Sequence, residues 1–157
     1  GDLISNTSGS LLAIGQALIW DEQRILLKYS YMPTKWAKEN PSQLGSGHLE
    51  RALKDYNGQT YWLTFNLKSL LDIKNNNFPS WFSLAFGYGA NSMTQPYANK
   101  GDMIYRQYFL SFDVDLSKIK TKSKTVNSIL NTFGFLKFPA PAFEYANGRF
   151  SFHSIYY

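Results

Sequence analysis

Apolar and polar residues alternate with a period of two along several stretches, and the period predicts strands. RQYFLSFDVDL shows it most cleanly: Tyr108, Leu110, Phe112, Val114 and Leu116 form one set, Gln107, Ser111, Asp113 and Asp115 the other. By the usual rule the apolar set faces a core and the polar set faces water. RILLKYSY sets Ile25, Leu27, Tyr29 and Tyr31 against Arg24, Lys28 and Ser30. QTYWLTFNL alternates in the same way, with Trp62 as the exception. SWFSLAFGYG has a bulky face (Phe82, Leu84, Phe86, Tyr88) and a nearly bare one (Ser83, Ala85, Gly87, Gly89), so a neighbour is expected to pack very close on the bare side. In FEYANGRFSF, Asn147-Gly148 predicts a two-residue type I′ turn, with Tyr145 opposite Phe150 and Phe143 opposite Phe152, all four rings on one face.

Helical spacing governs the rest. The opening run predicts a helix from Asp2 to about Trp20, with Asp2, Asn6, Gly9, Ala13 and Gln16 on one small, polar stripe suited to close packing by another segment. It carries too many polar groups for a lipid-facing span. Pro33 introduces a helical turn through Trp36, and PSQLGSG is expected to be a loop. HLERALKDY places Leu49, Ala52, Leu53 and Tyr56 at helical spacing, with a Glu50–Lys54 pair, and ends at Asn57-Gly58. KNNNFP and ANSMTQPYANKGD read as loops, and TVNSILNTFGFL as a helix with Val126, Ile129, Leu130 and Phe133 on one side. The expectation is a single α+β domain over residues 1–157, with an N-terminal Gly-containing helix, mainly antiparallel strands and a C-terminal Asn-Gly hairpin.

Composition sharpens this picture in two respects. Twelve Phe, eleven Tyr and four Trp make large rings dominant in packing or contact, and the lack of cysteine excludes disulfides, thiolate metal sites and a Cys nucleophile. The net charge of +5 arises locally: Lys118, Lys120, Lys122, Lys124 and Lys137 lie between Asp115 and Glu144 with no acid among them. If DLSKIKTKSK is extended, its alternate lysines line one side, suited to lipid phosphates, nucleic acid or an acidic protein patch; a solvated linker is the plainer reading. Nucleic acid ranks low, since this run holds only lysine and no recognised module is present.

Catalytic signatures are sparse. Only His48 and His153 are available, and a metal site would need a carboxylate such as Glu50 beside them. There is no G-x-S-x-G, no Walker lysine after GSGHLE and no dinucleotide context around GYGAN. Asp113 and Asp115 read as a solvated face rather than a catalytic pair, and Asp21-Glu22 as a surface pair. No cofactor or metal is expected.

Several motifs together carry a resemblance. They are the Asp2/Asn6/Gly9 pattern, WDEQRI, LKDYNGQTYWL, FGYGA, RQYFLSFDVDLSKIKTKSK and PAP at Pro139–Pro141. The chain resembles an uncharacterised family of periplasmic lipoproteins of Bacteroidetes-type bacteria, distantly similar to enterobacterial YfiM. KDYNGQTYW is the most specific motif, and the match covers nearly the whole chain. The family carries an earlier helix bearing His-Phe, so the chain is expected to be the C-terminal portion of a longer protein, with the small stripe receiving that helix. The resemblance implies a non-enzymatic, outer-membrane-associated periplasmic protein. Its implied partner is a large outer-membrane barrel of the type IX secretion translocon, which it would plug at the periplasmic mouth. Candidate contacts are Lys118, Lys120, Lys122 and Lys124, with Trp81, Tyr88 and the loop Ala90–Asp102.

Two other readings stay open. One is a small outer-membrane or membrane-surface protein, favoured by the alternating aromatics of RFSFHSIYY and opposed by the few strands of spanning length. The other is a hydrolase using His48 or His153.

Overall fold

Six strands lie side by side in the order in which the chain supplies them. The computed structural model describes residues 14–20, 22–92 and 104–157. A helical segment at residues 14–20 (α1) precedes β1 (Ile25–Tyr31), followed by α2 (Lys35–Glu39), α3 (Pro41–Leu44) and α4 (His48–Lys54). β2 (Gln59–Asn66), α5 (Leu67–Leu70), β3 (Phe82–Asn91) and β4 (Tyr105–Val114) come next. A 3-10 turn (Leu116–Lys118), α6 (Lys124–Thr132), β5 (Ala140–Ala146) and β6 (Arg149–Tyr156) complete the order. Every neighbouring strand pair is antiparallel, giving the expected α+β fold with one six-stranded meander.

The sheet is rolled. Thr60 of β2 and Tyr156 of β6 share a hydroxyl–hydroxyl hydrogen bond of 3.0 Å, and Lys28 of β1 donates through Nζ to the Val114 carbonyl of β4 at 2.8 Å. The outer edge of β1 is partly occupied: Tyr29 N–H donates to Phe135 O (2.8 Å), and Lys137 N–H donates to Tyr29 O (2.9 Å). The chain between α6 and β5 thus runs parallel to β1 at this point.

Rolling decides which face is buried. On a tightly curved sheet the concave side has little room, so the small residues of each strand turn inward and the bulky ones outward. Ser83, Ala85, Gly87 and Gly89 are all buried, and Trp62 fills the space they leave. A Cβ on Gly87 would stand 2.7 Å from Trp62 Cζ3, so the close neighbour expected on the bare face is this indole. The orientation expected for the apolar sets is reversed. Tyr108, Leu110 and Phe112 stand outside, while Gln107, Ser111, Asp113 and Asp115 are buried. Asp113 and Asp115 are therefore not a solvated face.

The hairpin follows the expected register. Tyr145 pairs with Phe150 and Phe143 with Phe152, around Asn147 (φ 48°) and Gly148 (φ 74°), the two left-handed residues a type I′ turn requires. PSQLGSG is not all loop, because Pro41 starts the one-turn α3, and α5 takes over where β2 was expected to continue through Leu67. DLSKIKTKSK is not extended: Asp115 accepts from Ser117 N–H to cap the 3-10 turn, and Ser123 caps α6 at Lys124. Glu50 and Lys54 pair at 2.7 Å on α4, whereas Leu49 and Leu53 remain exposed. The stripe Asp2, Asn6, Gly9 and Ala13 and most of the Ala90–Asp102 loop lie outside the described residues.

Candidate functional site: a charged interior behind an aromatic outer face

Position along β1 to β6 determines what each side of the sheet presents. The inward register Lys28–Trp62–Gly87–Phe109–Glu144 crosses five strands. Trp62 meets Phe109 at 5.7 Å and Tyr156 at 6.0 Å between ring centroids, and Phe109 meets Tyr156 at 4.5 Å. Ala85 and Ala142 complete this small core. Charge sits beside it. Lys28 Nζ lies 2.7 Å from Asp113 Oδ2, both side chains at 0% exposure. Lys137 Nζ stands 4.9 Å from the Trp62 ring centroid and donates to the Phe112 and Phe138 carbonyls. Burial lowers the Lys137 pKa to about 8, the Asp113 charge opposing that drop and Lys28 adding to it. These buried ions are tolerated because each has a countercharge or several oxygen partners.

The outward registers contrast completely. Tyr29, Tyr61, Tyr88, Tyr108, Tyr145 and Phe150 are successive cross-strand partners, one on each strand. Two residues along, Leu27, Leu63, Phe86, Leu110, Phe143 and Phe152 form a second continuous row. A third runs Ile25, Phe65, Leu84 and Phe112. Of the twelve side chains in the first two rows, all but Tyr29 are substantially exposed. Rings of this size at about half exposure leave on the order of 1,000 Å² of apolar surface uncovered, beyond the ~300–600 Å² of the largest patch on a typical soluble monomer. The strands' charged side chains and His153 avoid these rows. Lys28, Asp113, Glu144 and His153 turn inward, and Arg106 and Arg149 sit at the end beyond the tyrosines.

The two ends of the sheet also differ. Beyond the tyrosine row lie the β1–β2 helices and the Asn147-Gly148 turn. The opposite end carries Trp81, whose carbonyl accepts from Asp115 N–H (2.8 Å), and Trp20, under the Arg24 guanidinium at 5.1 Å. Glu22 pairs there with Lys118 (2.7 Å) and Arg24 (3.2 Å), and the Lys118 hydrogen bond holds its pKa below the ordinary carboxylate value.

An open cavity of about 440 Å³ lies at the tyrosine end of the interior, lined in part by Trp36, Asn91, Tyr105, Gln107 and His153. His153 Nε2 stands 2.7 Å from Glu144 Oε2, and Gln107 Nε2 donates to Glu144 Oε1 at 2.6 Å. This Glu–His pair needed the β5–β6 register and was missed from sequence; His48, the first residue of α4, is not among the residues lining the cavity. No group of three or more metal-ligating side chains occurs among the described residues.

The expected contact residues are scattered. Tyr88 belongs to the tyrosine row and Trp81 to the opposite rim. Lys118 is engaged by Glu22, whereas Lys120, Lys122 and Lys124 are exposed. Comparison with protein-family models, curated proteins and solved structures returns no match. No helix among the described residues is long and apolar enough to cross a membrane, a statement that does not bear on strands.

Proposed function

We propose that this is a membrane-embedded β-sheet protein of the outer-membrane type, with lipid against its convex face and a polar interior on its concave face. The observation that carries this reading is the uncharged outward register, two unbroken six-strand rows edged by tyrosines, while the sheet's buried charges are paired inside. Transmembrane barrels alternate apolar-out and polar-in and carry aromatic girdles at the two interfaces. A soluble antiparallel sheet does the opposite on its exposed face.

Dimensions support the reading. β3 and β4 each have ten residues, the length of a tilted spanning strand. Ten residues at ~3.4 Å, tilted by about 45°, rise roughly 24 Å, the height of an outer-membrane apolar band. Lipid also imposes a requirement. Backbone groups at an open sheet edge must be paired there. Phe135–Lys137 meets part of this need at β1, and the far edge of β6 must be paired in the membrane as well. The reading agrees with the outer-membrane association that the family resemblance implies, and differs in setting lipid, not a translocon mouth, against the sheet.

Flotation tests it. The full chain, refolded with phosphatidylcholine vesicles and washed in urea, is expected to float with the lipid. A monodisperse protein that needs no detergent and stays at the bottom of the gradient would overturn the reading.

A further inference from the structure

The lysine segment and α6 are not absorbed by the interior or by the sheet's outer rows. They sit at the end where β4 leaves the sheet, opposite the tyrosine row, on the side of the 3-10 turn that bears Lys118 and its partner Glu22. Lys120, Lys122 and Lys124 are exposed, and no described acid lies within ion-pair distance of them. They are held on an ordered platform. Asn127 accepts from Thr121 N–H and Thr121 Oγ1 (2.8 Å each) and donates to Thr121 O (2.9 Å), while Ser123 caps the helix.

α6 repeats the inversion seen in the sheet. Asn131 and Gly134 border a small cavity with Leu26, Leu27 and Asp115, so the end of the helix lies over the edge of β1. Val126, Ile129 and Phe133, spaced along one side, are 42–50% exposed. Phe135 and Leu136 continue the apolar surface onto the segment paired with Tyr29. An amphipathic helix with lysines at one end and its apolar side uncovered is suited to lie in a membrane interface.

We propose, resting on the membrane reading above, that Lys120, Lys122 and Lys124 bind the phosphate groups of anionic lipids, with the apolar side of α6 in the interface beside them. The chemistry is that of a point-charge phosphate site. Three ammonium groups lack acidic partners among the described residues, the neighbouring apolar surface fixes them at headgroup height, and Trp81 lies at the same end of the sheet. Free phosphate offers the charge but nothing for Val126, Ile129 and Phe133, so the lipid is the ligand that satisfies both halves of the surface.

The test compares binding of the full chain to vesicles of phosphatidylcholine alone and to an equimolar mixture with phosphatidylglycerol, at low and high salt. Each lysine near an anionic surface contributes about fivefold in affinity, so three contribute on the order of a hundredfold at low salt. Wild type is expected to prefer the anionic vesicles by that order, with the preference falling as salt rises. Lys120→Gln/Lys122→Gln/Lys124→Gln, with unchanged circular dichroism, is expected to lose the preference yet still float with phosphatidylcholine. Equal binding of wild type to both vesicles, or an undiminished preference in the triple variant, would overturn this proposal and leave the membrane reading standing. Failure of wild type to float with either vesicle would overturn both.

Discussion

Replacing Lys28 by Met separates the inverted sheet from an ordinary one. On a water-facing strand the change would cost almost nothing, because surface substitutions usually stay within about 0.5 kcal/mol. Here the Lys28 and Asp113 side chains are both fully buried, with Nζ 2.7 Å from Oδ2 and a further 2.8 Å hydrogen bond to Val114 O. Removing the ammonium leaves a buried carboxylate without its closest cation, a loss of about 3–5 kcal/mol in comparable pairs. Two features place this case at the lower end: Phe138 N–H still donates to Asp113 Oδ1 at 2.9 Å, and the Lys137 charge acts on the same carboxylate. The expected destabilisation is therefore about 3 kcal/mol, a large part of the ~5–15 kcal/mol that typically holds a domain together. Lys28→Met/Asp113→Leu removes both charges and is expected to recover most of the loss. Urea unfolding in lipid vesicles, followed through tryptophan fluorescence, reads both variants. A single variant within about 0.5 kcal/mol of wild type, or a double variant no better than the single, would refute a paired charge in the interior.

Gly87→Val places atoms where a Cβ already meets Trp62 at 2.7–2.8 Å and Phe109 Cβ at 3.0 Å. A loss of about 1–3 kcal/mol, with altered aromatic near-ultraviolet dichroism, is expected; an unchanged unfolding midpoint would contradict the packing. Leu110→Lys puts a charge in the middle outward row and is expected to cost about 2–4 kcal/mol in a bilayer, measured by vesicle unfolding, whereas a neutral result would place that row in water. Lys137 has a folded-state pKa of about 8, below its ordinary 10.5, so the unfolded chain binds more protons between those values and stability rises with pH there. Measured from pH 7 to 10, the wild-type unfolding midpoint is expected to climb relative to Lys137→Met. A flat difference would show that Lys137 is not buried as described. Above pH 10, Tyr156, raised to about 12 by burial, acts in the opposite sense and ends the useful window.

The strands were legible because period two survives whichever face is buried. The Asn147-Gly148 turn fixed the last register for a local reason, positive φ at both residues. Direction was not legible from the period alone: taking the apolar set as inward reversed β4, whereas the bare face of β3 did mark its buried side. Clues to the true direction were present: Ser83, Ala85, Gly87 and Gly89 leave room for only a thin interior, and Trp62 breaks the alternation of its strand to fill it. The tyrosine row was hidden because its members are spread from Tyr29 to Tyr145 and meet only through four pairings. The Glu144–His153 pair and the Lys137–Trp62 contact were hidden similarly, by register and by the roll of the sheet. The one-turn helices α3 and α5 are too short to show a periodicity. The lysine run left an extended form open because alternate lysines imitate a strand, and the caps at Asp115 and Ser123 take precedence over that pattern.

The central claim, that lipid covers the convex face, is tested most directly by a nitroxide scan of β4 in vesicles. The chain has no cysteine, so single-cysteine variants from position 107 to 113 label one site each. Collision with oxygen, which concentrates in the acyl region, is compared with collision with a water-soluble nickel complex. Labels at 108, 110 and 112 are expected to collide strongly with oxygen and weakly with nickel, and those at 107, 109, 111 and 113 weakly with both. Strong nickel collisions at 108, 110 and 112 would put the face in water, and weak collisions with both reagents there would put it against protein; either result contradicts the account.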